Sequence, residues 1–242
     1  MFRLLWTNAF LFLYTIAFTP AVMVLSLFDK KGRLVHFHVA VPWAKGILKV
    51  CGLKVKVKGL ENIDPAKPHI YMTNHQSTVD IFALLASIPV DFKFIVKQEL
   101  MRVPILGFNM RRAGYIGIER DDPRKAVTSM KAAAERINKG ASVLIFPEGT
   151  RSIDGKLLPF KRGGFNLALK SRCDIIPVAI SNSRLLAPKG SFRFKKGEFQ
   201  IHFGKPIPLK AYTKRNIAEL MDCVREAISV QMTDSSPKGS GN

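Results

Sequence analysis

Cysteine is scarce: Cys51, Cys173 and Cys223 are the only three in 242 residues, and they lie far apart with no C-x-x-C pair. That spacing excludes an even disulfide framework and points to reduced thiols in a reducing compartment. Metal-ligand clusters are missing as well. His36 and His38 are the closest histidine pair, yet they sit in an apolar, basic segment without carboxylate or thiolate neighbours, so no metal site is expected. Acidic residues are few: 18 Asp and Glu stand against 38 Lys and Arg, a formal charge of +20. Such a surface attracts polyanions, whether nucleic acid, an anionic membrane, or acidic or phosphate-bearing partners, and composition alone does not choose among them. There is no internal repeat and no linker that would divide the chain. With 47% hydrophobic residues the sequence is not that of a disordered tail, and its length suffices for one sizeable core.

Charge is absent altogether from Leu4 to Leu27, where Trp6 and Tyr14 sit among Leu, Phe, Ala and Val. The run is of membrane length. A secretory signal has a shorter apolar core and a small-residue cleavage site, whereas this run passes directly into Phe28-Asp29-Lys30-Lys31. A buried core helix would keep a polar face, and only Thr7, Asn8, Thr15, Thr19 and Ser26 interrupt the run. Membrane contact is therefore expected. Pro20 and the basic flanks (Arg3; Lys30, Lys31, Arg33) fit a kinked or re-entrant helix as well as a spanning one. From Leu34 to Leu53, apolar residues mix with His36, His38, Lys45 and Lys49 around Trp43. That is the composition of a helix in the headgroup layer, and a second core helix fits it in part equally well. Residues 1–53 are thus expected to form an N-terminal helical membrane anchor. The positive flanks favour the cytoplasmic side.

Beyond the anchor, Lys54-Val55-Lys56-Val57-Lys58 alternates as a strand with valines inward. Ile70-Tyr71-Met72 reads as a strand, Asn74 to Asp80 as the loop after it, and Ile81 to Ala86 as a helix. Ser77 or Thr78 caps that helix, which leaves His75 in the loop and Asp80 in the first turn. A carboxylate accepting from one imidazole nitrogen fixes the tautomer and leaves the other nitrogen able to take a proton from an alcohol. A polar loop with a capping His and a dipole-favoured Asp is the plainer reading of the same residues.

Val143 to Phe146 reads as a buried strand that runs straight into Pro147-Glu148-Gly149-Thr150-Arg151-Ser152. Ligands of α/β sheets bind beyond such strand ends. Gly149 permits close backbone approach, and Arg151 offers a planar fork suited to phosphate. Further strands are expected at Phe92–Val96, Tyr115–Ile118 and Ile175–Ile180. Helices are expected at Ile105–Arg112, from Asp122-Pro123 to Gly140, at Phe165–Lys170 and at Asn216–Gln231. Phe192–Phe194 and Phe199–Phe203 read as a hairpin, and Gly155–Gly164, with Lys156, Lys161 and Arg162, as either a mobile basic loop over the site or a plain solvated connection. Arg111, Arg112 and Arg120 bracket one strand; such a cluster can hold a phosphate, and ordinary surface arginines fit the same residues. The alternation predicts an α/β fold: a mixed, mostly parallel sheet flanked by helices over 54–234, with a polar tail at 235–242.

Two of these stretches carry a family resemblance. Asn74-His75-Gln76-Ser77-Thr78-Val79-Asp80 and Phe146-Pro147-Glu148-Gly149-Thr150-Arg151-Ser152 resemble the first and third motifs of the 1-acylglycerol-3-phosphate O-acyltransferase family, the PlsC type. Gly114-Tyr115-Ile116-Gly117-Ile118-Glu119-Arg120 resembles the second motif, with Glu119 where Asp is common and Gly117 where a bulky residue is. Ile176-Pro177-Val178-Ala179 resembles the fourth, and Lys97-Gln98-Glu99-Leu100 with Pro104 and Gly107 the segment between the first two. The likeness spans about residues 55 to 205.

The resemblance implies transfer of a fatty acyl group from an acyl thioester, on acyl carrier protein or coenzyme A, to the sn-2 hydroxyl of 1-acyl-sn-glycerol 3-phosphate, giving phosphatidic acid. His75 would be the general base and Asp80 its orienting partner. Arg120, Glu148, Gly149, Thr150 and Arg151 would form the substrate-binding part, Glu148 holding Arg120 or Arg151 or accepting a glycerol hydroxyl. No cofactor is implied beyond the thioester co-substrate, and the expected partners are a phospholipid membrane, lysophosphatidic acid and an acidic donor. The inner membrane of a bacterium, on its cytoplasmic face, is the expected location. Three alternatives share features: a glycerol-3-phosphate or other lysophospholipid acyltransferase, a non-catalytic binder of anionic membranes, and a nucleic-acid binder. The last lacks a reader motif and is not expected.

Overall fold

The computed structural model describes residues 2–119, 122–189 and 193–233. The expected tail at 235–242 lies outside them, as does Arg120. Within them, α1 (Phe2–Phe28) is continuous through Pro20. Its inward side is marked by polar bonds: Thr15 Oγ1 accepts from Trp43 Nε1 at 3.2 Å and Thr19 Oγ1 from Asn109 Nδ2 at 3.0 Å. Trp6, Phe12, Leu13, Met23, Val24, Leu27 and Phe28 are exposed. The residues that seem to interrupt the apolar run are thus partly those that attach the helix to the rest of the molecule.

A turn at Asp29 to Gly32 leads into α2 (Arg33–Val35), a π-helical turn (His36–Ala40) and α3 (Val41–Cys51). The widened turn immediately precedes Pro42, which has no N–H to close a regular turn backwards. Ala44, Ile47, Leu48 and Cys51 are buried in the main core, against the helix that follows the His75 loop. One face of this segment is therefore core, while Lys45, Lys49 and Val50 face outward.

The strand β1 (Leu53–Lys58) keeps the expected alternation, its lysines exposed and valines half-buried. β2 (Ile70–Thr73) is followed by α4 (Val79–Ser87), then β3 (Phe92–Lys97), α5 (Gln98–Arg102), α6 (Leu106–Arg112) and β4 (Ile116–Ile118). α7 (Pro123–Asn138) opens on Asp122, whose side chain accepts from Arg124 N and Lys125 N, and leads to β5 (Ser142–Ile145). α8 (Arg162–Ser171), β6 (Ile175–Ser181), α9 (Ser183–Leu186), β7 (Gly197–Phe203) and α10 (Ile217–Thr233) complete the order.

The seven strands form one sheet in the order β1-β7-β6-β2-β5-β3-β4, in which only the β6–β7 pairing is antiparallel. Five strands therefore run one way and β1 and β7 the other. One face is covered by α3 and α4, the opposite face by α7, α8 and α10. The mixed, mostly parallel sheet flanked by helices is as expected. The hairpin is not: Arg193 and Phe194 are not strand, Phe192 lies outside the described residues, and β7 lies between β1 and β6. Phe199, Ile201 and Phe203 are all buried, and a strand with one face in the core and both edges paired outcompetes a local ribbon.

One turn is strained. Ile105, at φ 60° and ψ −61°, sits between Pro104 O and Leu106 N, which bond at 2.6 Å. This is the rare hand of γ-turn, and such backbone states cost on the order of 1–3 kcal/mol for a β-branched residue.

Candidate active site

β2 and β5 are parallel neighbours, so the two motif loops leave the same edge of the sheet side by side. Past Thr73, Asn74 takes over from the ladder: its Nδ2 donates to Ile180 O at 2.8 Å and its Oδ1 accepts from Ile180 N at 2.7 Å. That two-point clamp turns the chain off the sheet at a fixed place and presents His75.

Asp80 gathers the loop. Its Oδ2 accepts from His75 Nδ1, Gln76 N and Ser77 N, each at 2.8 Å, with the side chain 0% exposed. A carboxylate only accepts, so Nδ1 carries the proton and Nε2 is the basic nitrogen of the neutral ring. The expected caps are divided differently. Ser77 Oγ accepts from Val79 N at 3.3 Å and donates to Ala187 O at 2.5 Å, while Thr78 makes no capping bond and instead accepts from Arg151 Nη1 at 2.6 Å.

The second loop holds every other handle of His75. Its ring stacks on Phe146, centroids 3.9 Å apart and planes at 21°. Its N–H donates to Glu148 Oε1 at 2.9 Å, and its carbonyl accepts from Ser152 N at 2.8 Å. The side chain keeps 13% exposure, whereas that of Asp80 has none.

Glu148 is buried, and its two oxygens accept from His75 N and Leu158 N, both at 2.9 Å, so it ties the two loops together. Burial pushes its carboxyl above the usual range, against the two amide donors and the nearby Arg225. A buried carboxylate needs donors, and the two loops supply them from their backbones. Glu148→Gln, which exchanges one acceptor for a donor aimed at an N–H, is expected to lower unfolding stability by about 1–3 kcal/mol; a chemical denaturation series would show it as a lower midpoint at unchanged slope.

The loop at Gly155–Gly164 is also not slack. Gln76 Nε2 donates to Gly155 O at 3.1 Å, Lys161 N to Pro147 O at 2.8 Å, and Arg225 to the carbonyls of Leu157 and Leu158. Gly149, at φ 73°, accommodates the close approach of the Lys161 side chain. Lys189 Nζ lies 2.9 Å from Arg151 O and 3.3 Å from Thr150 Oγ1. Arg151, Lys161 and Lys189 therefore stand together beside the His75 loop. Lys189 gave no signal in the sequence because tertiary packing alone brings it there. His75, Asp80, Glu148, Gly149, Thr150 and Arg151 come together as expected; Arg120 lies outside the described residues. No group of three or more potential metal ligands occurs among the described residues. A cleft of about 1300 Å³ between α7, α8 and the chain at 209–214 contains none of the motif residues.

A carboxylate-oriented histidine beside clustered cations, at the carboxyl edge of a mostly parallel sheet, defines a class of protein suited to proton transfer on an anionic ligand. Comparison narrows the class. Residues 54–181 match the Acyltransferase family. The chloroplastic 1-acyl-sn-glycerol-3-phosphate acyltransferase of Brassica napus is 38% identical over 183 residues, 75% of this chain and 53% of that protein. The human 1-acyl-sn-glycerol-3-phosphate acyltransferase alpha is 31% identical over 191 residues, 78% of this chain and 68% of that protein. The crystal structure of the 1-acyl-sn-glycerophosphate acyltransferase PlsC from Thermotoga maritima superposes with a TM-score of 0.84 at 26% identity, covering 98% of this chain and 96% of that one. The chain belongs to the acyltransferase family. It spans little more than half the length of the chloroplastic relatives it matches.

Proposed function

We propose that the protein transfers a fatty acyl group from an acyl thioester, carried by acyl carrier protein or coenzyme A, to the 2-hydroxyl of 1-acyl-sn-glycerol 3-phosphate, forming phosphatidic acid. The observation that carries this reading is the 2.8 Å bond from His75 Nδ1 to the buried Asp80 carboxylate. It leaves Nε2 as a base at the mouth of the site, and the matched relatives bear that activity in their names.

Nε2 takes the hydroxyl proton as the oxygen attacks the thioester carbonyl, and Asp80 steadies the imidazolium that results. When the tetrahedral intermediate collapses, the carbon–sulfur bond breaks and the departing sulfur receives that proton as a thiol. No acyl-enzyme is needed. Cys51 and Cys173 are buried, and burial pushes the Cys173 thiol up to about 12, far from a thiolate nucleophile. Direct transfer in a ternary complex follows.

Arg151, Lys161 and Lys189, with Arg120 by family resemblance, hold the acceptor's phosphate, which orients the reacting hydroxyl. Arg151→Lys, losing the planar fork, is expected to raise KM for the acceptor about tenfold with a smaller change in kcat; steady-state kinetics at saturating donor would separate the two. The helix segment Asn8–Phe28 is 21 residues long and apolar enough to cross a membrane. In this reading it holds the enzyme at the bilayer where its acceptor lies, and the basic flanks with the charge of +20 support the cytoplasmic side, in a bacterium that of the inner membrane. An apolar cleft of about 90 Å³ lined by Phe18, Val22, Trp43, Ile81, Leu85 and Tyr115, between α1, α3, α4 and the α6–β4 turn, has room for a few methylenes of an acyl chain.

The test is an assay of the purified chain in vesicles with 1-acylglycerol 3-phosphate and an acyl thioester, alongside glycerol 3-phosphate and the His75→Ala variant. Phosphatidic acid formed by the wild type and lost in the variant supports the reading. Acylation of glycerol 3-phosphate alone would overturn the choice of acceptor while keeping the base.

A further inference from the structure

The segment joining α5 to α6 carries an apolar surface that neither the fold nor the site uses. Leu100, Val103 and Ile105 are 41%, 44% and 37% exposed, and Pro104 between them is exposed too. Single exposed apolar residues are ordinary; here four stand within six residues, broken by the buried Met101 and by the exposed Arg102, which pairs with Glu119, and such a cluster calls for a partner.

This knuckle is rigid. Val103 N donates to Leu100 O at 3.3 Å, Gly107 N to Val103 O at 2.7 Å and Asn109 N to Ile105 O at 2.9 Å. The Arg111 guanidinium holds the Met101 carbonyl, and Gly107 lies so close to that carbonyl that no side chain would fit. At the tip stands the strained γ-turn of Ile105. A water-facing turn would shed its strain with glycine at that position. An isoleucine there holds an apolar side chain outward, which is favourable only where something apolar covers it.

Position identifies the cover. Gly32 packs on Ala113 and Thr19 bonds Asn109, so α1 and α6 run in the same sense. The knuckle, just before α6, therefore lies toward the N-terminal half of α1, where Trp6, Phe12 and Leu13 are exposed. It also begins directly after Lys97, at the carboxyl end of β3, the same edge of the sheet from which the His75 and Glu148 loops emerge. Its apolar surface thus lies beside the exposed N-terminal half of α1 and at the edge of the sheet that carries the site, on a chain whose charge of +20 favours anionic headgroups.

We propose that the Leu100–Ile105 knuckle inserts into the bilayer as a second membrane contact, separate from α1. Because α1 is bonded to α3 and α6 it moves with the domain as one body, and a lone helix leaves that body free to tilt in the lipid. A second, rigid contact fixes its tilt and seats the carboxyl edge of the sheet on the lipid surface. This rests on α1 lying in a membrane, as proposed above, and not on the chemistry of the site.

The test uses the full chain with Cys223→Ser and an environment-sensitive fluorophore on Val103→Cys, compared with the same label on Lys139→Cys, at the end of α7 on the opposite edge. Vesicles of phosphatidylethanolamine and phosphatidylglycerol, with and without spin-labelled acyl chains, are the probe. A blue shift at 103 on adding vesicles, with quenching several-fold stronger than at 139, is the expected result. Water-like emission at 103 in chain that co-sediments with vesicles overturns the proposal and leaves the α1 anchor standing; failure to co-sediment overturns both. Emission already blue before vesicles are added, and dependent on protein concentration, overturns it in favour of a second copy. In parallel, the triple variant Leu100→Ser, Val103→Ser, Ile105→Gly should keep its unfolding midpoint, because the glycine relieves the strained turn. It should show about a tenfold higher KM for vesicle-embedded acceptor, in keeping with the apolar area withdrawn from lipid, and an unchanged kcat for a short-chain soluble one. Equal KM values for the embedded acceptor would count against the proposal.

Discussion

The His75→Ala variant is expected to lose about 10²–10⁴ in kcat, the usual contribution of a positioned general base. KM for the acceptor should change far less, because the cations that would hold the phosphate stand on other residues: Arg151 on the loop after β5, Lys161 just before α8, and Lys189 after α9. The variant should fold. The loop's attachments to Glu148 and Ser152 run through the backbone of residue 75, and Asp80 still accepts from Gln76 N and Ser77 N. Asp80→Ala makes the informative contrast. It removes the orienting carboxylate and also leaves two buried N–H groups without an acceptor, so activity and unfolding midpoint should fall together. Thiol release followed with a chromogenic reagent, beside thermal unfolding of both variants, checks the pair. Full activity in His75→Ala with an intact fold would end the case for this histidine as base.

What the sequence made legible was local. The alternation at Lys54–Lys58, the helix opening at Asp122-Pro123 and the two buried strands that end in polar loops each follow from a pattern a few residues long, and each stands in the structure. The proximity of His75 to Asp80 is of the same kind, because four intervening residues and a helix start leave little freedom. What could not be read is what two distant segments do to each other. The family resemblance offered Glu148 as a holder of Arg120 or Arg151 or as an acceptor for a glycerol hydroxyl; that it accepts from the N–H groups of His75 and Leu158 depends on a loop ten residues later folding back. The hairpin failed for a related reason. Adjacency in sequence favoured a ribbon, but β7 buries Phe199, Ile201 and Phe203 more fully between β1 and β6. The helix at Val41–Cys51 carried a composition that suited headgroups and core alike, and only the docking of α4 against it decides which face is which.

That docking region holds a group the chemistry does not use, with a large expected effect on stability. His36 is buried between Phe37 and Phe92, with neither ring nitrogen hydrogen-bonded. Its Nδ1 lies 3.6 Å from Asp91 Oδ1, which would favour the imidazolium, but Lys93 Nζ already pairs with that oxygen at 2.8 Å and also bonds Gly32 O. Burial, with Lys93 adding to it, depresses the His36 pKa from 6.5 to about 3. Asp29 and Arg33 act on Asp91 from the turn, and Arg136 on Lys93 from α7. Between pH 6.5 and 3 the unfolded chain binds a proton at this histidine that the folded chain refuses. Stability is therefore full above the unfolded value and is lost as pH falls toward the folded one. At about 1.4 kcal/mol per unit, the loss is about 2 kcal/mol at pH 5 and on the order of 4–5 kcal/mol at pH 3. Asp91 works in the opposite direction, since burial raises its carboxyl, so wild type alone would report a sum. The difference between wild type and His36→Phe isolates the histidine: denaturation midpoints measured in detergent from pH 7 to 4 should decline more steeply in wild type, and parallel slopes would mean that His36 is protonated in the folded protein after all.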